Sequence, residues 1–573
     1  MTDLLATDPG LTPRPMKAQA VYTGVTVTLL AMFACMLFVL VAPPRADFFV
    51  ANRWISGVTR LLDYRKSLSL LQERWIVLIA TIASSIAAGA YAAYDAWVQA
   101  PLIEPFDTPN PADGRIYYDE DARLKLRARF EREAGRRAGD GIWLAPHLNM
   151  PFRLETRNIM VVGASGHGKS NIVRAHADQM IRRGDLVGLH CNKGDVTQSF
   201  DLNDVILISP AHRNGWAWDI AADIDGPAAA AEFAKDVIPA SDQPFWSDSA
   251  RLILADTISA MNAERGTSWS PGDLLLALYG DPQKLRAQIS QIDLNVSPLF
   301  GQGDDSDALD RTVKSIMSTL FSAATYALRP MAYAWANIPP EKRFSIKAWL
   351  RDDGLLSRIL IVQTSPNFAE MSTTVCGGIL RRICTAMSDP SMHIDPNRRV
   401  NLVLDEMYSL GRVEDLARSL SVGREKGLVC VAALQTQYQL NDLYGDEAEL
   451  LMDMFQMKIY TGLVAGPSAE LAEKTMGQRD IIWSVPNRHP GKDDVRKFLK
   501  REEKVPVVSA VQLTRDLGVF ENDEGKEYVR AMIHYSGAVY RFDWPLTVWK
   551  KVGEGFVPAK WTQYVSKSGP PQT

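Results

Sequence analysis

Cysteine is scarce: five in 573 residues (Cys35, Cys191, Cys376, Cys384, Cys430), none in a C-x-x-C pair or a Cys/His ligand spacing. This argues against a disulfide scaffold or a zinc centre, and the four beyond Cys35 read as reduced core thiols. A surplus of basic charge is also lacking, since 63 Lys+Arg against 67 Asp+Glu leave a net charge of −4. Contact with nucleic acid would therefore have to rely on local basic surface, such as a channel lining. Strand signals are all but missing between about Gly226 and Pro340. What is present, 46% hydrophobic and 23% charged residues, is the balance of a globular protein with room for two or three domains.

Two apolar runs stand near the start. Ala18 to Pro44 carries no charge, and Val21 to Ala42 is almost continuously apolar, enough to span a bilayer core of ~30 Å. A signal peptide, the alternative, would have a shorter core and a small-x-small cleavage site. The second run, Trp75 to Tyr94, is flanked by aromatic residues placed as interfacial anchors. Ala83, Ser84, Ala87, Ala88 and Ala90 are expected to let the two helices pack closely. The segment between the runs holds six Lys/Arg (Arg45, Arg53, Arg60, Arg65, Lys66, Arg74) against Arg14 and Lys17 before them, which favours a cytoplasmic loop. The nucleotide chemistry below requires the opposite, both termini in the cytoplasm.

The stretch Ile159 to Ser170 is an apolar strand running into G-x-x-x-x-G-K-S, with a helical pattern after it. Strand, glycine-rich turn and helix form a phosphate loop. Backbone N–H groups from Gly163, Ala164, Ser165, Gly166, His167 and Gly168 would cradle a polyphosphate at a helix N-terminus. Lys169 would reach the β- and γ-phosphates, and Ser170 would take one position on Mg²⁺. ATP and Mg²⁺ are the implied ligands.

Further buried strands follow at Leu186–His190, Val205–Ile208, Ile359–Val362, Val400–Leu404 and Val429–Leu434. Strands alternating with helices predict an α/β fold with a parallel sheet. Three helices (Phe245–Asn262, one capped at Ser270-Pro271, and Ser306–Arg329) predict an all-α domain inserted into it. The expected organisation is a tail over 1–17 and two membrane helices within 18–98, at about 20–42 and 75–96 with a short periplasmic loop. A linker and charged helix follow over 99–141, then a nucleotide-binding domain over 142–225 and 341–573, and the all-α domain over 226–340.

Asp405 and Glu406 end the strand Asn401–Leu404, where open α/β sheets bind ligands. Asp405 is expected to hold Mg²⁺ through water, and Glu406 to orient the attacking water. Gln435, ending the next strand, could contact the γ-phosphate or that water. Arg424, nineteen residues after Asp405, is flanked by Gly423 and Gly427 and is a candidate to act in a neighbouring subunit. His167 occupies a variable position of the loop, and a catalytic role for its ring is not favoured.

With these residues in place the chain resembles the TraD/TraG-type coupling proteins of conjugative type IV secretion, relatives of the FtsK/HerA DNA translocases. The two spans, GASGHGKS from Gly163, NLVLDEMYSLGRVEDL from Asn401, AALQTQYQLNDLYG from Ala432 and the Phe245-Trp246 helix start carry the resemblance, over roughly residues 20 to 500. It implies RecA-like domains in a homohexameric ring on the bacterial inner membrane, pumping relaxase-bound single-stranded DNA (or duplex) into a secretion channel. The implied partners are the relaxosome and the channel. The chain departs from the family pattern with Asn192 where an aspartate is usual, and with no acidic tail over Ser536–Thr573. Two other functions fit the same motifs: an ATP-switched docking receptor for protein effectors, and a chromosomal FtsK-type translocase.

Overall fold

The computed structural model describes residues 14–43, 51–62, 64–99, 104–105, 115–135, 140–290, 306–352, 357–395, 397–486 and 498–563. They fall into two units, one holding residues 1–113 and 478–506, the other residues 114–477 and 507–573.

The first unit contains α1 (Arg14–Val41), α2 (Ala51–Leu62) and α3 (Tyr64–Gln99). Val21–Val41 and Arg74–Ala96 are long and apolar enough to cross a membrane, and only 11% and 17% of their apolar windows are buried within the protein. The two helices meet where Gly24 faces Gly89: a Cβ on Gly89 would fall 1.6 Å from Thr28 Oγ1. The small residues expected at this contact (Ala83, Ser84, Ala87, Ala88, Ala90) are exposed instead, and Leu78, Ser85 and Gly89 are the buried ones. Small size permits close packing but does not select a face. The 3.6-residue period does, and it runs through 78, 85 and 89. At the start of the second span Arg74 Nη1 donates to the carbonyls of Val39 and Ala42, satisfying the frayed end of α1. Of the expected linker and charged helix over 99–141, residues 100–103, 106–114 and 136–139 lie outside the described residues. In the same unit Glu104–Pro105 pairs with Gln478–Pro486, which pairs antiparallel with Phe498–Pro506.

The second unit is built on an eleven-stranded sheet. In chain order its elements are β1 (Arg115–Tyr118), α4 (Asp119–Ala134), β2 (Ile159–Val162), α5 (Lys169–Arg183), β3 (Leu186–Cys191) and β4 (Ile206–Ile208). An all-helical stretch follows with α6 (Pro227–Val237), α7 (Pro244–Arg265), α8 (Pro271–Tyr279), α9 (Pro282–Ser290), α10 (Ser306–Tyr326) and α11 (Leu328–Trp335). The chain returns through β5 (Ile359–Gln363), α12 (Gly378–Ser388), β6 (Val400–Leu404), β7 (Leu428–Leu434), β8 (Met457–Tyr460), β9 (Gly518–Glu521), β10 (Glu527–Tyr535) and β11 (Ala538–Pro545). The spatial order is β1-β11-β10-β8-β2-β7-β6-β3-β5-β4, with β9 on β10. The seven strands from β8 to β4 are parallel. Their unbroken Val/Ile/Leu runs suit strands covered on both faces. Alternation divides each strand between two cores: Ile159 and Val161 join α4 and α5, whereas Met160 and Val162 face the helical stretch.

The helices between residues 227 and 335 share one continuous core with that second face. Ser270 caps α8 with Asp273 in a reciprocal box behind Pro271, the cap expected from the sequence. The expected helix Ser306–Arg329 is two helices, broken at Ala327. Asp223, buried at the neck of the stretch, ties its two ends together. Its carboxylate accepts from Trp218 Nε1 at 2.7 Å on the entering side, and from Ser345 Oγ (2.7 Å), Ile346 N (2.8 Å) and Lys347 N (3.1 Å) on the returning side. Each of those donors would be left unmet in an alanine variant, at a cost of roughly 1–3 kcal/mol per buried group.

Candidate functional site: a phosphate loop at the carboxyl edge of the sheet

β2 stands between β8 and β7, and the acidic strand β6 lies one strand further on. All four point their carboxyl ends to one edge, so the loop after β2 and the residues ending β6 and β7 converge there. The loop turns through Gly166 and Gly168, whose φ values of +82° and +86° disfavour residues with a Cβ. Gly168 is the N-cap of α5, which aims the helix's partial positive charge into the turn.

A cavity of about 220 Å³ opens at this edge, lined by Ser165, Gly166, Gly168, Lys169, Ser170, Asp405, Glu406 and Gln435. Lys169 Nζ donates to the Ala164 carbonyl at 2.9 Å, closing the loop on itself. Ser170 Oγ donates to Asp405 Oδ2 at 3.1 Å, and Gln435 Nε2 donates to Glu406 Oε1 at 2.7 Å. The four polar side chains named from distant parts of the sequence are thus two hydrogen-bonded pairs.

Three residues expected to cradle phosphate are engaged elsewhere. The N–H groups of Gly163, Ala164 and His167 donate to the carbonyls of Leu434, Gly462 and Ala164. The His167 ring lies against β8's exit, where a Cβ on Gly462 would come within 2.2 Å of Cδ2, and it does not line the cavity. Arg424 is also apart from the site. It is exposed on the turn entering β7, at the end opposite Gln435, and so roughly 20 Å from its own cavity by strand rise.

The cavity also takes Asn171, Lys193, Asp195 and Val519, to which sequence reasoning assigns no role, and Asn192, noted there only as a departure from the family pattern. Asn192, Lys193 and Asp195 follow β3, neighbour of β6, so their position at a strand's carboxyl end was the available signal. Arg174, one turn into α5, forms an ion pair with Asp195.

Charge at the site is under strain. Burial pulls the Lys169 ammonium down from its usual range, against the favourable pull of Glu406 and Asp405. Burial pushes the Asp405 carboxyl up and Asp195 adds to it, while Ser170's hydrogen bond works the other way. Asp405 Oδ1 is buried with no hydrogen-bond partner. A hard divalent cation suits that arrangement. Mg²⁺ takes one or two protein oxygens and draws the rest from phosphate and water, so a hydroxyl beside an under-coordinated carboxylate fits it. Among the described residues no cluster of three or more His, Cys, Asp or Glu offers a ready-made cage.

An expected result follows for Asp405→Asn. A carboxyl raised in the folded state contributes stability that is present below its unfolded pKa and lost as pH rises through the folded value. Removing the charge should therefore raise the melting temperature of nucleotide-free protein at pH 7, and weaken the dependence on Mg²⁺ of nucleotide binding. Calorimetry with and without Mg·ATP measures both. A variant less stable than wild type without nucleotide would show that Asp405 is not held at a cost.

Sheet order, phosphate loop and acidic strand together define a P-loop nucleotide-binding protein of RecA-like fold. Residues 143–520 match the family of the type IV secretion-system coupling protein DNA-binding domain, and the chain belongs to that family. Coupling protein TraD of Escherichia coli (strain K12) is 25% identical over 352 residues, 60% of this chain and 47% of TraD. The chain thus spans about half the length of that curated relative. Among solved structures, the unbound bacterial conjugative coupling protein TrwBΔN70 superposes with a TM-score of 0.60 at 21% identity, covering 75% of this chain and 94% of that one. Plasmid coupling protein TrwB in complex with a non-hydrolysable ATP analogue gives 0.60 at 21% identity, covering 81% and 99%. The fold is shared with both.

Proposed function

We propose that this chain is a membrane-anchored ATPase that recruits relaxase-bound single-stranded DNA and pumps it into a type IV secretion channel. The observation that carries the reading is the paired site, Ser170 on Asp405 and Glu406 on Gln435 at the mouth of one phosphate loop. In this reading Ser165, Gly166 and Gly168 hold phosphate through the backbone, and Lys169 neutralises the β/γ charge. Ser170 and Asp405 would hold Mg²⁺, which supplies charge neutralisation on the phosphates. Glu406 accepts a proton from the attacking water, and Gln435 fixes the carboxylate's orientation. Gln435's own N–H donates to Gln439 Oε1 at 2.9 Å, which steadies its position in turn. Membership of a family described by its DNA-binding domain, and similarity to coupling protein TraD, support the DNA-directed part.

Hydrolysis by the full chain in detergent, with and without single-stranded DNA, separates a pump from a docking receptor. Stimulation of several-fold supports the pump. An unchanged rate with DNA demonstrably bound would favour the receptor that uses ATP only to switch shape.

The proposed assembly is a homohexamer in which Arg424 acts on the neighbouring subunit's nucleotide. Its distance from its own cavity is what a trans role requires, and such arginines contribute ~10³–10⁵ in rate. Arg424→Ala should bind ATP and barely turn it over, yet recover activity when co-assembled with Lys169→Ala. No gain in verified mixed assemblies would remove Arg424 from the mechanism.

Both termini are proposed to be cytoplasmic, because the nucleotide site needs ATP. A reporter fused at Gly57 should then read as periplasmic and one at Thr573 as cytoplasmic. A cytoplasmic reading at Gly57 would instead vindicate the basic loop.

A further inference from the structure

The short helix α2 (Ala51–Leu62), between the two apolar helices, has two unlike sides. At 3.6 residues per turn Trp54, Ile55, Val58 and Leu62 fall on one side, and Arg53 and Ser56 on the other. Ile55, Val58 and Leu62 are 61%, 46% and 81% exposed, so nothing among the described residues covers the apolar side. The hydroxyls are met within the helix: Ser56 Oγ donates to the Arg53 carbonyl at 2.7 Å and Thr59 Oγ1 to the Ser56 carbonyl at 3.0 Å. What α2 leaves unmet is therefore apolar surface.

Three contacts set the level at which α2 lies. A Cβ on Gly57, at its middle, would fall 2.1 Å from the carbonyl oxygen of Val41, the last residue of the first apolar span. The Trp54 ring lies 5.6 Å from that of Phe38, three residues and so ~4.5 Å inside the same span. Arg74, which opens the second span, donates to the Ala42 carbonyl at 3.0 Å, and α3 kinks at that residue. Helix α2 thus crosses the chain where one span ends and the other begins, and Trp54 turns its apolar side toward the body of the first span.

We propose that α2 lies in the plane of the membrane surface, with Ile55, Val58 and Leu62 sunk among lipid acyl chains and Arg53 and Ser56 at the level of the headgroups. The proposal rests on the reading of α1 and α3 as membrane spans. Lipid is the occupant because the exposed side continues the exposed apolar surface of α1 at Phe38. A helix with one apolar and one polar side settles ~5–10 Å into the boundary between headgroups and acyl chains. The basic segment between the spans gains a second meaning. Arg74 caps α1, and Arg53 stands at headgroup level, so these two charges have uses on either side of a membrane and do not decide which side the segment faces.

Nitroxide labels on the full chain in phosphatidylethanolamine–phosphatidylglycerol vesicles test this. Each label's collisions are compared for oxygen, which concentrates among acyl chains, and a nickel chelate, which stays in water. Cys35 is exposed on α1 and the other four cysteines are buried, so the unaltered chain takes its label at Cys35 and reports on the span. Ile55→Cys, Val58→Cys, Leu62→Cys and Ser56→Cys are made in a Cys35→Ala background, and all four positions are exposed, so a label displaces no packing. The ratio of oxygen to nickel collisions at Ile55, Val58 and Leu62 should be several-fold above that at Ser56 and approach that at Cys35. Ratios no higher than at Ser56, with Cys35 shielded from nickel, overturn the interfacial helix alone. Loss of collisions with both agents at Ile55, Val58 and Leu62 would show that protein, such as a second copy of this chain, covers that side, and overturns lipid as the occupant. A Cys35 label as open to nickel as one at Ser56 overturns the spans, and the placement of α2 with them.

Discussion

Lys169→Ala should lose essentially all nucleotide hydrolysis while the chain still inserts in the membrane and keeps its fold. Lys169 is the side-chain cation lining the cavity from the phosphate loop itself, and Lys193 is the other cation there. Its ammonium sits above a loop whose helix contributes only partial charge, so the β- and γ-phosphates lose their nearest full positive charge. The fold should be spared because the side chain's hydrogen bond is to the Ala164 carbonyl, within the loop. Removing it also relieves a burial penalty on a cation. A melting temperature at or above that of wild type, with turnover reduced by at least ~10²-fold, is the expected pair of readings. Wild-type turnover would mean that the phosphates bind elsewhere.

Glu406→Gln should fail differently. The amide keeps the side chain's shape and the contact with Gln435, while Asp405, Ser170 and Lys169 are untouched. What is lost is the acceptor for the water's proton, a contribution of ~10²–10⁴ in rate. ATP should therefore bind at near wild-type affinity and persist unhydrolysed. Binding and single-turnover measurements on one preparation separate the two steps. If nucleotide affinity falls as far as in Lys169→Ala, Glu406 belongs to the binding surface and not to the chemistry.

The central strands were legible because parallel strands covered on both faces read as short unbroken apolar runs, and β2, β3, β5, β6 and β7 are of that kind. The antiparallel margin was not. β10 carries Glu527 and Arg530, and β11 carries Arg541 and Asp543, a mixture that reads as surface chain until pairing brings Arg530 and Asp543 together at 2.8 Å. That margin delivers Val519 to the phosphate cavity. This part of the cavity wall was therefore invisible from motif spacing. Likewise the phosphate-loop pattern gives the residues that turn, but not which N–H groups remain free. Gly163 and Ala164 spend theirs on strand partners that only the sheet order reveals. In the first unit, composition marked the spans and missed the face, because many small residues fit the pattern and Gly24 and Gly89 alone make the closest approach.

A strand-end displacement experiment tests the account most directly. Single-stranded DNA carrying biotin at one end and blocked by streptavidin is given to the full chain in detergent, with ATP and Mg²⁺. A pump should strip streptavidin at a rate that follows ATP consumption. Lys169→Ala and Glu406→Gln should leave it in place, although the latter still holds nucleotide. Hydrolysis without displacement at either DNA end, under conditions where DNA is bound, would contradict the central claim that this site drives DNA movement.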